Sequence, residues 1–93
     1  MIRIFVFSYS GDAAEAVACV RCVRMAVPYA SVTVVDDAAS PVQEDTAAAL
    51  RSIGADYVQS SWDRQGNLRG PACIRGMLSE MCREAEDDDI VVK

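Results

Sequence analysis

Four short apolar runs punctuate this chain, and the stretches between them carry helical periodicity, an alternation that leaves few folds open. Ile2 to Ser8 is apolar except for Arg3, the pattern of a central strand covered on both faces. Asp12 and Glu15 then have capping-box spacing, and Ala13, Ala16, Val20, Val23 and Val27 fall on one helical stripe until Pro28. Ser31 to Asp36 reads as a second buried strand. Ser40, Pro41 and Gln43 supply an N-cap, a first-turn proline and a capping partner for a helix reaching Ile53, with Gly54 suited to a left-handed cap. A third strand is expected at residues 55–59, followed by a long loop, SSWDRQGNLRG. Pro71 opens a last helix, whose Ile74, Met77, Leu78, Met81, Cys82 and Ala85 form an apolar stripe, and Ile90 begins a fourth strand.

The order is therefore βαβαβαβ, and each helix is long enough to be a right-handed crossover. This predicts an α/β fold: a Rossmann-like parallel sheet of about four strands with helices on both faces. If the fourth strand returns beside the first, the strand order is 3-2-1-4. Ligands of such sheets bind at the switch point, outside the carboxyl ends of the strands. Ser8, Tyr9, Asp36, Asp37 and the 60–70 loop all belong to that edge.

Ninety-three residues make a single domain, 1–93, which buries only about 60 to 65% of its unfolded surface. No apolar run approaches the roughly 18 residues of a membrane helix, and the amino terminus reads as a strand, so a cytoplasmic protein is expected. The net charge of -5 argues against nucleic acid as a partner. Because the chain contains no His, it cannot itself supply a Ser-His-Asp triad or an imidazole metal ligand.

Cys19 and Cys22 have CxxC spacing but lie inside a helical pattern, away from the helix amino terminus that would activate a redox thiol. Cys73 and Cys82 stand nine apart, too far for the second close pair of a zinc site. All four read as small apolar helix residues, with Cys22 the most exposed.

The chemistry concentrates at VVDDAAS, where the second strand delivers Asp36 and Asp37 to its carboxyl end. Two carboxylates there are costly to bury without partners. Neither GxGxxG nor GxxxxGK[ST] is present, so a nucleotide would be gripped by side chains. A carboxylate at this position can accept hydrogen bonds from ribose hydroxyls or a base N–H, and Asp37 is the first choice for that role.

A first strand ending in Ser8-Tyr9 and a second ending in VVDDAAS together resemble the nucleotide-binding half of family 2 glycosyltransferases of the GT-A fold. The resemblance implies that Asp37, with Asp36, contacts the base and ribose of a nucleotide sugar, UDP-type first, and that Tyr9 packs on the base. It also places Asn67 and Arg75, within NLRGPACIRGM, near the nucleotide and phosphates. The metal-holding DxD of that family, which binds Mg or Mn, and its catalytic base would lie beyond Lys93. The chain is thus expected to be a GT-A half-domain truncated before the DxD, inactive alone.

Each feature also has a plainer reading. Asp36 and Asp37 could open a turn and cap the next helix, Tyr9 could be a core aromatic, and Trp62, Arg64 and Arg69 could belong to a solvated loop. Asp87 to Asp89 reads as a solvated turn at the opposite edge of the sheet. A receiver-like phosphoacceptor domain shares the parallel order, but its acidic pair should follow the first strand. A non-catalytic module, self-associating as a homo-oligomer through an exposed sheet edge, is the remaining alternative.

Overall fold

The computed structural model describes residues 1–37, 41–60, 71–86 and 89–92, with the side chains of 71–73 set aside. It contains β1 (Ile2–Ser8), a 3-10 turn (Ser10–Asp12), α1 (Ala13–Ala26), β2 (Ser31–Asp36), α2 (Glu44–Ser52), β3 (Asp56–Gln59), α3 (Pro71–Cys82) and β4 (Ile90–Val92). The four strands form one parallel sheet in the order β3-β2-β1-β4, as the alternation of elements predicts.

Strand alternation sorts the apolar residues onto two faces. Ile4 and Val6 of β1, Val32 and Val34 of β2 and Tyr57 of β3 pack with Val17, Val20 and Val23 of α1 and with Leu50 of α2. Val20, Val34 and Leu50 are fully buried. Truncating one such residue to alanine typically costs about 2 to 5 kcal/mol, so this layer carries much of the stability. On the other face Phe5 and Val35 are buried, and Phe5 and Thr33 border a small cavity closed by Glu80 and Met81 of α3.

Several local expectations shift. Asp12 does not cap α1 with its side chain; its Oδ1 instead accepts from the Tyr9 backbone N–H at 2.9 Å, closing the 3-10 turn. The second helix begins at Glu44, with Gln43 rather than Ser40 at the N-cap position. Gly54 takes φ +90°, as a left-handed cap requires.

The apolar stripe expected for α3 is only partly inward. Met77 is buried and Met81 half-buried, whereas Ile74 and Leu78 are 46% and 56% exposed and Cys82 and Ala85 also face solvent. The stripe is wider than the sector that α3 seats on the sheet, so its flank is left outside.

The acidic turn before β4 departs furthest from expectation. Asp87 and Asp88 lie outside the described residues, but Asp89 is anchored: it accepts from Arg3 Nε at 2.6 Å and from the Glu86 N–H at 3.0 Å, and lies 3.3 Å from the terminal ammonium. Its side chain is only 6% exposed. Together with the Ile90 N–H donating to the Met1 carbonyl at 2.9 Å, this clasp starts β4 in register beside β1. The sequence hides it because Arg3 and Asp89 are 86 residues apart.

The Glu86 N–H, followed by the Arg3 guanidinium, holds the Asp89 carboxyl well down, at about 2 against an ordinary 3.8. A depressed carboxylate contributes stability above its unfolded value, and that stability is lost as pH falls through the folded one. Acid titration followed by circular dichroism should therefore show a loss of stability between about pH 4 and pH 2 that is shallower in Asp89→Asn. Identical slopes for the two proteins would show that the clasp contributes nothing.

Candidate functional site

The carboxyl rim of the sheet is built by register. Ser8 pairs with Asp36, and Asp36 with Gln59, so the ends of β1, β2 and β3 lie side by side. The Asp37 N–H donates to the Ser8 carbonyl at 3.0 Å, and the Ser60 N–H donates to the Asp36 carbonyl at 2.7 Å. These backbone bonds carry the pairing one residue past each strand end. Of the expected site residues, Ser8, Tyr9, Asp36 and Asp37 come to this rim.

Asp36 is completely buried, and its carboxylate is consumed by the fold. Oδ1 accepts from the Ser8 hydroxyl at 3.0 Å. Oδ2 accepts from the Val42 N–H at 2.8 Å and from the Tyr57 hydroxyl. One side chain thereby joins β1, β3 and the approach to α2. Burial, and next the bond to Asp36, push the Tyr57 phenol upward, so it stays protonated and donating at neutral pH. Arg51 stacks over the same ring at 5.0 Å from its centroid. Tyr57, Val42 and Arg51 were absent from the site expected on sequence, because nothing local to them signals a bond to β2.

Asp37 is 4% exposed and stands at the strand end next to Ser8. Tyr9 is half-buried, with its ring lying on its own turn. A β-carbon built on Gly11 would come within 2.7 Å of the ring Cζ and 2.8 Å of the hydroxyl. Gly11 is thus the residue that lets the ring lie flat on the backbone. Arg75 is an exposed residue of α3, and Asn67 lies outside the described residues. The 61–70 part of the loop, with Trp62, Arg64 and Arg69, lies outside them too.

The rim therefore divides the acidic pair into two roles. Asp36 ties β1, β3 and the approach to α2 together without capping α2, whose N-cap position is Gln43, while Asp37 stands beside it at the strand end. Among the described residues no helix is long and apolar enough to cross a membrane. Comparison with protein-family models, with curated proteins and with solved structures finds no match to this chain.

Removing the Asp36 carboxylate would strand three buried or half-buried donors at once. At about 1 to 3 kcal/mol for each unsatisfied group, Asp36→Ala should destabilise by about 3 kcal/mol or more, against about 1 kcal/mol for Tyr57→Phe. Urea unfolding of the two variants provides the check; equal, small losses would mean that Asp36 is not the hub.

Proposed function

We propose that the carboxyl rim binds a nucleoside diphosphate, UDP-type first, and that the chain is the donor-nucleotide half of a glycosyltransferase. The observation that carries this reading is Asp37: a carboxylate held nearly out of solvent at the end of β2, beside the point where the strand order reverses between β2-β1 and β4. Ligands of open parallel sheets bind outside the carboxyl ends of the strands, and Asp37 stands there, its N–H on the Ser8 carbonyl. Asp37 would accept from ribose hydroxyls or a base N–H. Tyr9, seated on Gly11, would offer its ring to the base, and the Ser8 carbonyl fixes the Asp37 backbone. Sugar transfer would need the metal-binding carboxylates, with Mg or Mn, and the base that the resemblance places after Lys93.

The receiver-like alternative gains no support from the sheet. In that order the third strand lies beside the first, whereas here β4 does. The acidic pair ends β2, and β3 ends in Gln59.

Chemical-shift perturbation with a panel of nucleoside diphosphates tests the proposal. Shifts at Tyr9 and Asp37 at millimolar ligand, lost in Asp37→Ala, are expected. Gly11→Ala, which must swing the Tyr9 ring away, should weaken binding about tenfold, the scale of one lost stacking contact worth about 1 to 3 kcal/mol. An unperturbed rim at millimolar ligand would refute the nucleotide reading.

A second reading, self-association, is favoured by one separate observation. Edge strand β4 presents Ile90 at 60% and Val92 at 42% exposure, and its three described residues are all apolar. Sedimentation should then show a homo-oligomer that Ile90→Lys and Val92→Lys disperse. A monomer at high concentration would exclude it.

A further inference from the structure

The sheet has a second outer strand, and its chemistry differs from that of β4. β3 borders β2 on one side only, and just past its end the Ser60 N–H turns inward to the Asp36 carbonyl. Main-chain groups of successive strand residues point to alternate sides, so Val58 also turns to β2, while Tyr57 and Gln59 present their N–H and C=O groups outward. Such a row is a template for an added strand. Alongside it runs a groove of about 610 Å³, bordered by Thr33, Arg51, Asp56, Tyr57, Arg83 and Glu84.

The charges along this groove are of two kinds. Arg51 is paired with Glu44 and stacked on the Tyr57 ring, and Arg83 is paired with Glu80. Asp56 and Glu84 are exposed, and among the described residues neither is in a salt bridge. Arg3, whose field reaches Glu84, is itself bonded to Asp89. The uncommitted charge at this edge is therefore negative, and register puts it on one face. Asp56 is level with Thr33, and both border the cavity under α3 together with Glu84. Tyr57, packed against the core of Val34 and Leu50, lies on the other face beneath Arg51.

We propose that the β3 edge binds an extended basic peptide segment, added as a further strand, with Lys or Arg at every second position. Side chains of a strand alternate between the two faces of a sheet. One set meets Asp56 and Glu84 on the α3 side. The other falls beside Tyr57 and Arg51, where a further cation is repelled and an apolar residue fits. A second copy of this chain is a poor occupant, because it brings the same carboxylates and the same net charge of -5. The inference does not rest on the nucleotide reading, since Ser8, Tyr9, Asp36 and Asp37 take no part in it.

The test is a titration of the full, isotopically labelled chain with a capped peptide of alternating Lys and Val, read by amide shifts and hydrogen exchange. Shifts centred on residues 56–59 are expected, with exchange slowed at the Tyr57 and Gln59 amides and little changed at Val58, which is already bonded to β2. Asp56→Asn and Glu84→Gln should each weaken binding about two- to fivefold, the scale of one exposed ion pair, and added salt should weaken it too. Gln59→Pro removes an outward N–H while sparing the bonds to β2, and should abolish binding in a chain that circular dichroism shows to be folded. The exchange pattern of the unaltered chain decides the matter even if that variant does not fold. Equal binding of the same Lys and Val arranged in two blocks, equal binding of an alternating Glu and Val peptide, or unperturbed amides at 56–59 would each overturn the proposal.

Discussion

A single buried carboxylate organises the working edge of this protein. Asp36 takes its hydrogen bonds from the end of β1, from β3 and from the segment leading into α2, while its own backbone carbonyl receives the Ser60 N–H. A parallel sheet has no hairpins to align its strand ends, so the rim of a small sheet is where register is most easily lost. Here one side-chain acceptor that takes hydrogen bonds from three separate segments sets it. Once Asp36 is fixed, Asp37 and Ser8 have no freedom to move apart. The candidate ligand groups inherit their geometry from a residue that is itself occupied.

The opposite edge is held by the same kind of device in a different setting. Asp89 gathers Arg3, the amino terminus and the Glu86 N–H, and starts β4 beside β1. Without it β4, only three residues long, would have few bonds to keep its place. Each edge of the sheet, carboxyl and amino, is thus secured by an aspartate next to a strand end. The apolar layers between them, centred on Val20, Val34 and Leu50, supply most of the burial but little of the register.

Much of the fold was legible because it rests on local signals. Runs such as Ile2–Ser8 and Ser31–Asp36, the α1 stripe and the cap at Gly54 carry their own periodicity or backbone demand; the alternation makes the sheet parallel, and a fourth strand returning beside the first gives the order 3-2-1-4. Local spacing also located the rim and its acidic pair. It could not divide the pair, because what distinguishes Asp36 from Asp37 is Tyr57, 21 residues downstream. The outward flank of α3 escaped for a related reason, whereas the exposure of Cys22 was expected. A helical stripe shows which residues share a side, but the width of the seat is set by the sheet beneath. Asp89 looked solvated because its partners sit at the other end of the chain.

Native-state hydrogen exchange at the Val42 amide tests the Asp36 hub most directly. Val42 precedes α2 and lies outside every helix and strand, and the acceptor for its N–H is Asp36 Oδ2. The account predicts that this amide exchanges as slowly as the amides of β2. Exchange at the rate of an open loop, with β2 still protected, would contradict it.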